Sequence, residues 1–330
     1  MDVLCVGNAL VDRLAWAPDA DAVRRAGMEP GVMTLIDGER AAAIEASMEG
    51  WHEVAGGCAA NTASGIASLG GRGAFVGSIG DEASSRWYAD DLAAQGVQCT
   101  LSIAPSGQAT GTCHVLVTAD GQRSMATHLG AASELEPETV QAAGIGAARV
   151  AYLEGYLLDV PAGARTVEST LDLARAAGTL VSLSLSDPFV VCRHRQVIAD
   201  LLSSGSVDLV FGNETEMLEL TGAASRPDGL TELASLVPVA VMTLGAEGAA
   251  VAVGHETANV PAYPAERVDT TGAGDLFAAG CLYGLTHGLP PEQALQMGAF
   301  AASEVIGHLG ARPAVSLRDA LPASYLQPAH

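Results

Sequence analysis

Short apolar runs alternate along the chain with longer segments whose apolar positions recur at helical spacing. Val3-Leu4-Cys5-Val6-Gly7 is continuously apolar, the pattern of a strand buried on both faces. The segments 74–79, 150–153, 180–185, 207–211 and 239–244 read as further strands, rich in apolar residues. Between them, 161–177, 194–203 and 214–221 read as helices. So do 82–95, which is closed by Gly96, and the segment from Gly56-Gly57 to Leu69, which is stopped by Gly70-Gly71. Residues 32–36 read as extended, with a helix after Asp37. This rhythm predicts an α/β fold around a mostly parallel sheet. Residues 109–128 depart from it. Two β-like runs, 112–118 and 122–127, flank Asp120-Gly121, a hairpin with no crossover helix that belongs outside the parallel sheet. Another β run, 249–253, and a shorter one precede two Ala-rich helices, 273–287 and 291–307.

Composition narrows the chemistry. The formal net charge is −22, a surface that repels nucleic acid and anionic membrane. All 16 basic residues are Arg. A P-loop lysine and a Schiff-base lysine are therefore excluded, and a phosphate site must be built from backbone dipoles, Arg and metal. The six Cys are scattered without a CxxC pair and read as small buried hydrophobes in a reducing compartment. With no basic leader and no run long enough to span a bilayer, the expectation is a cytoplasmic protein.

The most informative stretch is Asp269-Thr270-Thr271-Gly272-Ala273-Gly274-Asp275, which opens the apolar helix from Leu276. A Gly-rich turn feeding a helix leaves backbone N–H groups unpaired at the positive end of the dipole, an anion site suited to phosphate. Asp275 would repel a merely bound phosphate. It makes sense as a base for a hydroxyl that attacks phosphorus, although an Asp in a first turn also serves as a plain helix cap. Gly56-Gly57 with Asn61 forms a second Gly-rich turn, open to a ligand or to ordinary packing. Asn8 and Asp12 follow the first strand, where α/β sheets collect ligands. Asn213 and Glu216 stand one helical turn apart, a spacing that suits both a water-mediated Mg²⁺ contact and a capping box. Thr243, Gly245 and Gly248 form a polar turn after another strand, and Arg123 is one of few cations near these segments.

Gly56-Gly57 … Asn61 followed by Asp269-Thr270-Thr271-Gly272-Ala273-Gly274-Asp275 resembles the two signatures of the PfkB, or ribokinase-like, carbohydrate kinases, in order and over nearly the whole chain. Gly7–Asp12, Ser184–Phe189 and Phe211–Glu216 are most similar to the bacterial adenosine kinases of that family. The resemblance implies one domain, 1–330, folded as a three-layer α/β/α sandwich with a small β lid from roughly 9–16, 31–36 and 109–128. It implies Asp275 as catalytic base, with Gly272, Ala273 and Gly274 as anion hole. It places Asn8, Asp12, Gly57 and Asn61 on sugar hydroxyls, and Asn213, Thr243, Gly245 and Gly248 on ATP. Glu216 is matched to Mg²⁺ through water, and Asp269 and Thr271 to a monovalent cation such as K⁺. Cys58 departs from the Ser frequent there and removes a polar contact.

Arg123, Met125 and Leu129 of the lid, with Leu35 and Ile36, are expected over the substrate. The activity implied is ATP-dependent phosphorylation of the adenosine 5′-hydroxyl by a monomer or homodimer. The alternatives are a free sugar such as ribose or fructose, another nucleoside, or a non-catalytic nucleoside sensor.

Overall fold

The computed structural model describes residues 1–47, 50–322 and 325. Its fourteen strands, in chain order, are β1 (Val3–Val6), β2 (Leu10–Trp16), β3 (Met33–Leu35), β4 (His52–Gly56), β5 (Gly73–Ile79), β6 (Gln98–Ile103), β7 (Gly111–Val117), β8 (Arg123–His128), β9 (Val150–Glu154), β10 (Leu180–Ser184), β11 (Leu209–Asn213), β12 (Val239–Thr243), β13 (Ala249–Val253) and β14 (Glu256–Val260).

Nine of them form one sheet in the order β14-β13-β12-β11-β10-β9-β1-β5-β6. It is parallel from β12 to β6, and β13 and β14 extend it as an antiparallel edge. Alternation along β1 splits the core. Val3 and Cys5 join the cluster beneath the helices Cys58–Ser68, Ala273–Thr286 and Pro291–Val305, while Leu4 and Val6 join the cluster on the opposite face. Helices on both faces give three layers, as the apolar runs predict for a sheet buried on both sides.

The remaining five strands form a second sheet, β3-β8-β7-β2-β4, at the C-terminal ends of the parallel strands. The hairpin expected at 109–128 is β7 and β8, paired antiparallel. Its sheet also takes in β4, which sequence does not reveal: His52-Glu53-Val54-Ala55-Gly56 carries exposed polar residues at its start and has no alternation. Another difference is the helix expected from 194, which begins at Pro188. Asp187 caps it through the Phe189 N–H at 2.7 Å, and a kink at His194 marks the place where the polar Arg193–Arg195 run suggests a start. Cys192, expected to be buried, is exposed on this helix.

Candidate active site

The mouth of the parallel sheet and the inner face of the lid enclose a cleft of about 390 Å³. Side chains alternate across a strand, so register decides which lid residues face it. Leu14, Val115, Met125 and Met33 stand opposite one another across β2, β7, β8 and β3, and Asp12, Cys113, Thr127 and Leu35 form the next rung. All of these except Leu14 line the cleft, together with Leu10, Leu129 and Arg123. Ile36, expected beside Leu35, does not. It follows Leu35 on the opposite side of the pleat and packs into the outer cluster with Val23, Ile44 and Ala126.

The floor is polar. Asn8 and Asp12 are both nearly inaccessible, and Asn8 Oδ1 is buried without a hydrogen-bond partner among the described residues. An orphaned acceptor at the wall of a cleft is costly unless a ligand donor meets it. Of the two readings left open for the neighbouring glycine doublet, ordinary packing is sufficient to require it. A Cβ on Gly57 (φ +94°) would lie 2.2 Å from Asn8 O, and one on Gly56 would lie 2.1 Å from the Asp12 carboxylate. The protein itself requires both glycines, to seat the Cys58–Ser68 helix against β2.

The anion turn shows the reverse. Gly272 (φ +76°) is required by the chain, since a Cβ would meet Ala311 at 2.7 Å. A Cβ on Gly274 would meet nothing within 4 Å. Among the described residues no atom demands glycine there, and the open space leaves room for a ligand to approach the backbone. The Ala273 N–H reaches Thr270 O at 3.3 Å, while those of Gly274 and Asp275 belong to the first turn, which has no intrahelical acceptors. Behind the turn, Asp269 accepts from the Thr271 N–H and hydroxyl at 2.9 and 2.7 Å and from the Gly310 N–H at 3.0 Å. It is buried and off the cleft wall. This geometry braces the turn, and a monovalent cation forms no part of the function proposed below.

Asp275 projects from the first turn into the cleft. Asn61 Nδ2 donates to its Oδ2 at 2.9 Å. Burial pushes the Asp275 carboxyl up from the usual range, against the Asn61 bond, the nearby Cys58 thiol and the charges of Arg123 and Arg312. Burial raises Asp12 to about 7 as well. A carboxyl moved toward neutrality is a stronger base once ionised. Arg123 lies on the cleft wall, its Nη1 donating to Thr270 O at 2.5 Å.

At the far end, Asn213 and Glu216 form a capping box. Asn213 Oδ1 accepts the Glu216 N–H, and the two Glu216 oxygens accept the Asn213 N–H and amide at 2.9 and 2.6 Å. The capping-box reading of the spacing holds, and the box locks a buried carboxyl, raised to about 7 by desolvation, at the cleft wall. Among the described residues no group of three or more His, Cys, Asp or Glu is placed to hold a metal. A single carboxylate of this kind fits a Mg²⁺ held mainly by substrate phosphates and its own water. Thr243 and Gly245 line the same end. Gly248 does not; it holds a tight turn (φ +103°) against Val260 O, where a Cβ would lie 2.0 Å away.

Glu154 and Arg312 are among the site residues that escape the sequence reading. Glu154 lies at the C-terminus of β9 on the cleft wall, and its oxygens accept the N–H groups of Asn8 and Ala59 at 2.7 and 2.9 Å. A carboxylate ending an apolar strand is the signal that marks it. Arg312 lies beyond the last long helix, and its Nε donates to Asn61 Oδ1 at 2.8 Å. No local pattern points to it.

This constellation, an anion turn with an ionisable carboxylate facing a lidded cleft, is that of a phosphotransferase acting on a hydroxyl. The pfkB family carbohydrate kinase profile matches residues 35–317, and the chain belongs to that family. A crystal structure of adenosine kinase from Sinorhizobium meliloti is similar at 40% identity and a TM-score of 0.92, covering 97% of this chain and 98% of that one. A probable sugar kinase from Rhizobium etli is similar at 39% identity and 0.93, with 97% of each chain covered. A fructokinase from Klebsiella pneumoniae is 28% identical over 82% of this chain and 91% of its own. The protein is an ATP-dependent phosphotransferase of a hydroxyl group, in a family that generally uses Mg²⁺ with ATP. Among the described residues no helix is long and apolar enough to cross a membrane.

Proposed function

We propose that this kinase phosphorylates the 5′-hydroxyl of adenosine, giving AMP and ADP. The observation that carries the reading is the apolar rung of Met33, Met125 and Val115, with Leu35 and Leu129, standing over a polar floor of Asn8, Asp12 and Asn61. An apolar slot above hydroxyl-binding groups suits a purine attached to ribose. A bare sugar would leave its upper hydroxyls against Met and Leu, where unpaired polar groups are expensive to bury. The S. meliloti adenosine kinase relative supports the same substrate. The probable sugar kinase and the fructokinase support the rival, a free sugar on the same floor.

In this reading Asn8 Oδ1 and the Asp12 carboxyl accept from ribose hydroxyls. Asp275 takes the 5′-OH proton as the O5′–P bond forms and the bond from the γ-phosphorus to the bridging oxygen breaks, leaving ADP. The N–H groups of Gly274 and Asp275, with Arg123, meet the charge on the transferring oxygens. Asn213, Thr243 and Gly245 border the ATP end, where Glu216 is the side chain that would face Mg²⁺ through water. When bound, Mg²⁺ supplies charge neutralisation on the phosphates. The lid, closing over the nucleoside, keeps water from competing as acceptor. A panel of adenosine, ribose and fructose with ATP and Mg²⁺ tests the proposal. Adenosine is expected to exceed both sugars in kcat/KM by at least about 10²-fold, the scale on which an apolar group gains its pocket. A sugar turned over better than adenosine contradicts it.

A further inference from the structure

Behind the proposed base lies a line of contacts that nothing in the transfer chemistry itself demands. Asn61 meets Asp275 with Nδ2 at 2.9 Å and Arg312 with Oδ1 at 2.8 Å. An amide has one donor end and one acceptor end, whereas a guanidinium only donates. A flipped Asn61 would press its oxygen against the carboxylate and its NH₂ against the guanidinium, two repulsive contacts in place of two bonds. Arg312 is itself fixed. Its Nη1 donates to Gln95 Oε1 at 3.1 Å and lies 3.8 Å from Asp91, and its side chain is about 10% exposed. The segment before it is tied to the anion turn through the Gly310 N–H to Asp269 and the close approach of Ala311 to Gly272.

We propose that Arg312 is a positioning residue for the reaction: it fixes the Asn61 amide so that its donor end holds the Asp275 carboxylate in place. The inference rests on the reading of Asp275 as the base. The guanidinium carries out a second task by its charge. Asp275 is surrounded by Asp12, Glu154, the thiols of Cys5 and Cys58 and the Tyr152 hydroxyl, against the two cations Arg123 and Arg312. In a chain without lysine, Arg312 is one of the charges that favour the ionised base.

The test uses the pH dependence of kcat/KM, whose acid limb reports the free enzyme's base, with whichever panel substrate the wild type turns over. Losing a cation and an oriented donor makes a carboxylate harder to ionise. Arg312→Met is therefore expected to move the acid limb to higher pH by about half a unit or more, and Arg312→Lys to bring it at least halfway back. Asn61→Ala removes the middle link while leaving the guanidinium in place. It should move the limb in the same direction, and it serves if Arg312→Met does not fold. A uniform loss of rate with the wild-type limb, in Arg312→Met or in Asn61→Ala, overturns the proposal and leaves Arg312 a packing residue. The two layers separate: an active Asp275→Asn enzyme refutes the base itself, whereas an inactive Asp275→Asn with an unmoved limb in Arg312→Met refutes only the positioning role.

Discussion

Asn61 and Asp275 lie 214 positions apart in the chain and are joined by a 2.9 Å hydrogen bond. The first sits near the start of one helix and the second near the start of another, and both helices pack on the same face of the parallel sheet. Their N-termini therefore converge at the strand C-termini, where ligands of open α/β sheets collect.

The apolar rung makes a prediction about substrate choice. Met125→Asp places a charge among Met33, Val115 and Leu35 without touching the polar floor. It is expected to lower kcat/KM for adenosine by at least about tenfold, while ribose and fructose change little. Equal losses on nucleoside and sugar, read in parallel assays, would mean that the rung does not contact the base.

Metal dependence follows from the lack of any lysine. Chelation with EDTA should abolish turnover, and Mg²⁺ or Mn²⁺ should restore it. Glu216→Ala should raise the Mg²⁺ concentration needed for half-maximal rate, since the capping box then loses the carboxylate at the cleft wall. A rate unaffected by EDTA would show that the phosphate charge is met by protein groups alone.

Asp12 makes a prediction about stability. Its carboxyl titrates near 3.8 when exposed and near 7 in the fold, raised mainly by burial. Between those values the folded state holds more protons than the unfolded one, so this group's contribution to stability is present at low pH and lost as pH rises through about 7. Asp12→Asn removes the cost of the buried charge. The ligand-free variant is expected to melt above the wild type at pH 8, by an amount on the order of 2–4 kcal/mol in stability, with the gap narrowing toward pH 5. Its nucleoside affinity should fall, because the ribose loses a charged acceptor. A gap that widens on acidification, measured by thermal melts across this range, contradicts the assignment.

The parts of the fold that sequence reveals are those set by local pattern. Val3–Val6 is apolar throughout and the other buried strands are mostly so, and Gly272 and Asp275 announce the anion turn by type and spacing. β4 and the start of the helix at Pro188 are not legible, because tertiary pairing and a cap decide them, not periodicity. The same division holds within the site. The Asn213–Glu216 spacing is readable, but that the box and the cleft wall coincide is not. Gly57 is readable as special, but that a side chain there would strike Asn8 O is not. Arg312 is invisible because its meaning depends on Asn61, some 250 residues away.

The central claim is that Asp275 removes the proton of the attacking hydroxyl. Asp275→Asn keeps the shape and the Asn61 neighbour but cannot accept that proton. The direct measurement is kcat for this variant with ATP, Mg²⁺ and adenosine, alongside its Kd for adenosine. A fall in kcat of about 10²–10⁴-fold or more, with Kd little changed, is the expected result. Turnover near that of the wild type would contradict the account.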